Sequence, residues 1–135
     1  TDRKNTRGYN TMVGGILLTE YILDSVRDSL GYTNIPDFDK EVLLHVNAAL
    51  MVLVQNGCGR HIDINEGTTW EEFLEPDRPK TNDEMLPIAK AYTFMRTKQL
   101  FDPPPPNTAG YYDQISNEYL WRIREGYGIK EENYE

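Results

Sequence analysis

The segment from Phe38 to Asn56 constrains the fold most, because its apolar residues recur at helical spacing and extend beyond one face. A helix that is apolar over more than one face is covered on more than one side. We therefore predict a helix over residues 38–56 that is covered on more than one side. Its apolar stripe consists of Leu43, Val46, Leu50, Leu53 and Val54, widened by Ala48, Ala49 and Val52.

Helical spacing also marks the segments at about 19–30, 83–101 and 107–125. Thr19 is the candidate N-cap of the first segment, and Gly31 stands where a left-handed residue ends a helix. The connections between the segments are mostly short, which favours antiparallel neighbours in a bundle.

A smaller element is predicted between the second and third of these helices. Thr69 followed by Glu72 forms a capping box, which predicts a short helix at about 69–74. Before it, apolar and polar residues alternate, which indicates a small β-hairpin or an extended loop near residues 60–68. The expected fold is therefore mainly α, a compact antiparallel bundle of four main helices plus a short helix.

Prolines set the limits of the two C-terminal helices. Pro87 is tolerated only near the first turn of a helix, which predicts a late start near Asp83. The run Pro103–Pro106 excludes helix and forms an extended strut. We interpret this run as a rigid spacer that sets the direction of the last helix, in preference to a ligand for a polyproline-binding domain.

The chain is expected to have three parts. Residues 1–18 form a flexible N-terminal arm, or in part a remnant that precedes a natural start at Met12. Residues 19–126 form the helical domain. Residues 127–135 form an acidic tail, which is too short and polar to fold alone and would become ordered on docking.

The charge and the cysteine content exclude several classes of protein. A net charge of −8 counts against a specific DNA binder, because an acidic protein gains nothing from counterion release on phosphate. A single cysteine, Cys58, excludes an internal disulfide. No apolar segment is long enough to cross a bilayer, so we expect no membrane partner.

Three side chains could in principle carry chemistry: His45, Cys58 and His61. A cysteine–histidine nucleophile also needs an orienting third group, and a zinc site needs more ligands than these three provide. We therefore expect no catalytic residue, no metal site and no cofactor. An enzyme would require that these three side chains converge in one cleft.

Two further groups of residues stand out. The first is an acidic cluster, which does not have calcium-loop spacing and would keep the protein soluble as a solvated face. The second is aromatic and is divided between the core and a protein interface, where Tyr and Trp are enriched. The acidic cluster consists of Glu66, Glu71, Glu72, Glu75 and Asp77, and the aromatic group of Trp70, Phe73, Tyr111, Tyr112, Tyr119 and Trp121.

The order of these packing and turn motifs resembles the head–tail connector proteins of tailed phages and prophages, also called adaptor or head-completion proteins. The resemblance covers about residues 20–125, and none of its motifs is catalytic. It is carried by Ile22–Gly31, Phe38–Leu50, Gln55–Gly59, Thr69–Leu74, Tyr92–Pro104 and Glu118–Ile123.

The resemblance implies a structural virion protein at the phage neck, assembled in the cytoplasm of the host bacterium. Copies would form a ring, commonly of twelve, that docks beneath the portal protein and meets the next connector, stopper or tail-completion protein. The genome would pass through the lumen. In this interpretation the tail residues Tyr127, Ile129 and Tyr134 bind the portal, the aromatic group forms the subunit interface and the acidic cluster lines the channel.

Two alternatives stay open. The chain could be another neck component, such as a stopper or tail-completion subunit, although those are often rich in β-structure. It could also be a small helical DNA-packaging or DNA-binding protein, such as a terminase small subunit or a repressor. The net charge of −8 and the lack of a basic helix count against this second alternative.

Overall fold

The structure, a computed structural model, describes residues 12–13, 16–17, 20–32 and 35–128. Five helices lie within these residues, four long and one short, so the predicted mainly α fold is confirmed. They are α1 (Ile22–Leu30), α2 (Pro36–Gln55), α3 (Trp70–Phe73), α4 (Pro79–Phe101) and α5 (Pro106–Tyr127). Two short strands, β1 (Met12–Val13) and β2 (Ile16–Leu17), pair antiparallel. The remainder of the predicted N-terminal arm lies outside the described residues.

Helix α4 is the centre of the bundle, because it packs against α1, α2 and α5. The stripe predicted for α2 is buried in part: Val46 and Leu53 are fully covered and Leu50 nearly so, whereas Leu43 and Val54 are half-buried and Ala48 is exposed. Helix α5 packs mainly against α4, which leaves much of α5 without a neighbour in the described chain. The core therefore lies between α1, α2, α3 and α4, with α5 on its edge.

Helix α3 is tied to α1 by both backbone and side chain. Trp70 Nε1 donates a hydrogen bond to Ser25 Oγ at 3.0 Å, and Tyr21 pairs with Thr69 through a single antiparallel bridge. Residues 60–68, all of them described, form an extended loop without a strand. The loop alternative is therefore the one adopted, because the chain beside α3 pairs with the residue before α1 and not with a strand of its own.

The local signals at the helix ends have mixed outcomes. The capping box of α3 is present, since Thr69 Oγ1 accepts from the Glu72 amide at 3.0 Å and the Glu72 carboxylate accepts from the Thr69 amide at 2.9 Å. Gly31 ends α1 in the left-handed region at φ 81°, as predicted. The predicted Thr19 cap is wrong, because α1 begins at Ile22 with Tyr21 as its N-cap residue.

The predicted start of α4 near Asp83 is also wrong. The helix begins at Pro79, where the fixed φ of proline suits the first helical position. Pro87 therefore lies inside the helix. It cannot donate to the carbonyl of Asp83, but both residues are exposed, so water can satisfy that carbonyl. The same preference explains α5, which begins at Pro106 and shortens the strut to residues 103–105.

An ion-pair network joins α1 to the first turn of α2. The guanidinium of the buried Arg27 donates to both carboxylate oxygens of Asp39 at 3.0 and 2.6 Å and to Asp24 at 2.7 Å. The Tyr32 hydroxyl donates to Asp39 at 2.9 Å. Arg27 holds the pKa of Asp39 below its usual value, and burial raises the pKa of Tyr32 to about 12. The network therefore holds a charged Arg27–Asp39 pair between α1 and α2 at neutral pH.

We predict that Arg27→Ala lowers the free energy of unfolding by about 3 kcal/mol, because it leaves the partly buried Asp39 without its charged partner. Urea unfolding measures this. The matched control is Arg122→Ala, which removes an exposed pair with Glu118 on α5 and should cost less than about 0.5 kcal/mol. Equal effects of the two substitutions would contradict the structural role of the Arg27 network.

The same network gives a pH dependence. Because the pKa of Asp39 is lowered by folding, its contribution to stability is complete above pH about 4 and is lost as pH falls through the depressed value. Asp39→Asn should therefore lower stability at neutral pH and reduce the loss that the wild type shows on acidification.

Candidate interaction surfaces

Helix α5 has two unlike faces. Ser116, Ile123 and Tyr127 are buried toward the core. On the outer face, the side chains of Tyr111 and Trp121 are 64% and 59% exposed. Exposed Tyr and Trp side chains indicate a protein-binding surface more strongly than exposed aliphatic side chains do, because Tyr and Trp are enriched at protein–protein hot spots. The outer face is thus the first candidate surface.

The second candidate surface is a groove of about 590 Å³ where the C-terminal half of α4 meets the beginning of α5. Phe94 and Met95 of α4 and Tyr112 and Tyr119 of α5 line it, together with the prolines at 103–105 and Ser29 of α1. The first four of these side chains are half-buried, so each keeps some apolar surface open to a partner. The sequence identified the aromatic residues of α5, but not the groove that α4 and the proline strut build beside them.

Trp70 and Phe73 do not belong to either surface, so their predicted place at a subunit interface is wrong. Their side chains are 2% and 0% exposed, and their rings meet edge to face at 6.1 Å. Both are held inside because α3 is capped and bridged onto α1. The ring of Phe73 also fills the space beside Gly59, where an added Cβ would come within 2.2 Å of it.

Tyr127 is not part of a tail, and the predicted boundary at residue 127 is wrong. It is the last residue of α5, and its side chain is 4% exposed. Its hydroxyl donates to Asn82 Oδ1 at 2.6 Å, and its carbonyl accepts from Arg78 at 2.9 Å. Burial raises its pKa. The helix ends at Gly128 with φ 76°. The other two predicted docking residues, Ile129 and Tyr134, lie outside the described residues.

The acidic cluster lies around α3. Glu66, Glu71, Glu72 and Asp77 are exposed and Glu75 is half-buried. Two of the five also have structural contacts. The Glu72 carboxylate caps α3, and that of Glu66 lies 3.9 Å from the guanidinium of Arg27. The exposed cluster is therefore available to an outside partner, but substitution at Glu72 would also disturb the fold.

The three side chains that could carry chemistry, His45, Cys58 and His61, do not form one site. Cys58 is buried, and burial raises the pKa of its thiol to about 11, so it is a neutral thiol at pH 7. His61 is exposed, and His45 lies 3.5 Å from the Glu41 carboxylate of its own helix. In the described part of the chain, no three His, Cys, Asp or Glu side chains group as metal ligands. None of the described helices has the length and apolarity needed to cross a membrane.

A third apolar surface was not predicted from the sequence. The ring of Phe38 meets those of Tyr32 at 5.7 Å and Phe101 at 5.3 Å, where α2 begins and α4 ends. Phe38 is 42% exposed, and Ile35 and Leu100 are also exposed. In the sequence, Phe38 and Phe101 stand at the ends of two predicted helices, which was the only indication of this surface. Their contact could not be predicted, because it depends on how α2 and α4 pack in the bundle.

Exposed aromatic side chains and an apolar groove on one small domain are typical of a protein that assembles with other protein chains. A comparison with family models agrees with that class. The family model described as "Phage connector protein" matches residues 22–128, which covers all five helices. The chain therefore belongs to the phage connector protein family, a structural family of bacteriophage virion components, as its resemblance indicated. No curated protein and no solved structure matches the chain.

Because some aromatic side chains are buried and others exposed, their replacement by alanine should change the free energy of unfolding of the monomer by different amounts. Trp70→Ala and Phe73→Ala should each lower the free energy of unfolding by about 3–5 kcal/mol, because each leaves a cavity in the core. Trp121→Ala should change it by less than about 0.5 kcal/mol. Tyr111→Ala should lower it by about 1 kcal/mol or less, because its ring meets that of Tyr112 at 5.9 Å. Urea unfolding of dilute protein checks this. A large loss of stability in Trp121→Ala would show that its side chain packs within the chain.

Proposed function

We propose that the protein is the ring-forming adaptor subunit of a phage head–tail connector. It docks beneath the portal, joins the capsid to the tail and lets the genome pass through the lumen of the ring. Membership of the phage connector family is the observation that carries this proposal, since the match extends over the whole helical domain. The ring, its docking on the portal and the passage of DNA are proposed in addition to family membership.

The two candidate surfaces of α5 support the ring. A ring of identical subunits needs two unlike surfaces that meet head to tail and close. The chain has an exposed aromatic face and a separate apolar groove on the same helix. In the proposal, Tyr111, Tyr112, Tyr119 and Trp121 contribute to contacts between neighbouring subunits.

The charge of the chain supports a channel for DNA. Acidic walls repel phosphates, so DNA can move along them without being bound. We assign the lumen side to the acidic cluster, in which the exposed Glu71 and Asp77 have no structural role comparable to that of Glu72. The net charge of −8 agrees with this assignment.

The segment after Gly128 is assigned to docking on the portal. It contains Ile129 and Tyr134 as apolar contacts among acidic residues. The end of α5 at Gly128 gives this segment a defined starting point on the helical domain. Tyr127 anchors that starting point in the core and is not itself a docking residue.

A cryo-electron microscopy reconstruction of the neck of virions that contain this chain tests the proposal. We expect a closed ring of copies directly beneath the portal, with residues 129–135 against the portal and the acidic cluster toward the lumen. A ring with outward-facing acidic residues would overturn the channel assignment. A chain bound only at the distal end of the neck would favour a stopper or tail-completion subunit, and a chain absent from the neck would overturn the proposal.

A further inference from the structure

The exposed tryptophan and the groove lie on opposite sides of the same helix. An α-helix turns by about 100° per residue, so Tyr112 and Tyr119, seven residues apart, share one side of α5. Trp121 follows Tyr112 by nine residues, which places it about 180° away around the helix axis. The side chain of Trp121 therefore cannot reach the groove of its own chain.

The groove has the composition that an indole ring needs. Phe94, Met95, Tyr112 and Tyr119 give it apolar and aromatic walls, and the prolines at 103–105 add pyrrolidine rings, on which aromatic side chains pack. Asp102, an exposed residue that lines the groove, provides a carboxylate acceptor for the indole N–H, which requires a partner when it is buried. Its volume of about 590 Å³ leaves room for a large side chain.

The groove carries a cation, Lys98, and an anion, Asp102, and the cation can pair with a carboxylate beside Trp121 of another copy. Lys98 lines the groove and is exposed. Beside Trp121 on the outer face of α5, Glu118 and Glu125 lie one turn before and one turn after it, and both are exposed. Glu118 is paired with Arg122 at 2.9 Å, so Glu125 is the better candidate for Lys98 of another copy. Complementary charges at the rim of an interface fix its orientation.

We infer that Trp121 of one copy inserts into the groove between α4, α5 and the proline strut of a neighbouring copy. The inference rests on the proposed function, because it states which surfaces meet in the proposed ring. The contact is head to tail, since each copy contributes its tryptophan on one side and its groove on the other. Such a contact continues from copy to copy until the ring closes.

Mixing two defective variants tests the head-to-tail contact. Trp121→Ala removes the inserted side chain and keeps the groove, whereas Ala91→Arg fills the groove and keeps the tryptophan. Each variant of the full chain should fail to assemble alone, with association weakened about 30-fold or more for Trp121→Ala. The equimolar mixture should form one-to-one pairs and nothing larger, because only one intact contact remains. Native mass spectrometry reports these masses.

Two controls separate a lost contact from a lost fold. Trp121→Phe should restore much of the assembly, and Leu44→Ala, which removes a 69% exposed apolar side chain from α2, should leave assembly unchanged. If Ala91→Arg fails to fold, Lys98→Glu provides a second groove variant at an exposed position. Lys98→Glu should weaken assembly, and combination with Glu125→Lys should restore it.

Assembly is measured in solution and as incorporation into heads that lack the connector. Normal incorporation of the wild type and of Trp121→Ala alike would overturn the inference and leave the proposed function intact. Failure of the wild type both to assemble and to enter heads would overturn the proposed function itself. Larger assemblies in the mixture of variants would contradict the head-to-tail contact.

Discussion

The packing of α5 mainly against α4 is the constraint on which the rest of the structure depends. The prolines at 103–105 exclude helix at the turn, and Pro106 then starts α5 so that it returns along α4. Ser116, Ile123 and Tyr127 provide the buried side of this contact. Helices α1 and α2 pack on other sides of α4, which leaves much of α5 without a neighbour in the described chain. The outer face of α5 and the groove beside the strut both follow from this arrangement.

The remainder of the domain provides a rigid support for these surfaces. Trp70 and Phe73 fill the space between α3 and its neighbours, and the hydrogen bond from Trp70 to Ser25 fixes α3 to α1. Arg27 and Asp39 join α1 to the start of α2. A well-packed core lowers the entropic cost of association, because the surface that binds is already in its bound conformation.

Features that depend only on neighbouring residues could be predicted from the sequence. The capping box at Thr69 and the left-handed Gly31 depend only on nearby backbone groups, and both are present. The sequence was insufficient where burial depends on contacts distant in sequence. Trp70 meets Ser25 across 45 residues, and Tyr127 meets Asn82 across the same separation, so neither could be assigned to the core from its neighbours alone.

The interaction surfaces could likewise be predicted only where they depend on neighbouring residues. The aromatic residues of α5 were recognised from composition, but their assignment to opposite sides requires the position of α4. The aromatic contact of Phe38 with Phe101 and the ion pair of Arg27 with Asp39 join different helices, and no spacing rule predicts either. Family membership, in contrast, depends on the order of many local motifs, which is why the resemblance could be recognised before the fold.

The most direct test of the central claim is a comparison of how readily the two tryptophans are oxidised in the free chain and in assembled particles. Hydroxyl-radical footprinting read by mass spectrometry provides this measurement. The structure predicts that Trp121 is modified in the free chain and protected after assembly, whereas the buried Trp70 is protected in both. Equal modification of Trp121 in both states would contradict the claim that the outer face of α5 is covered by another chain.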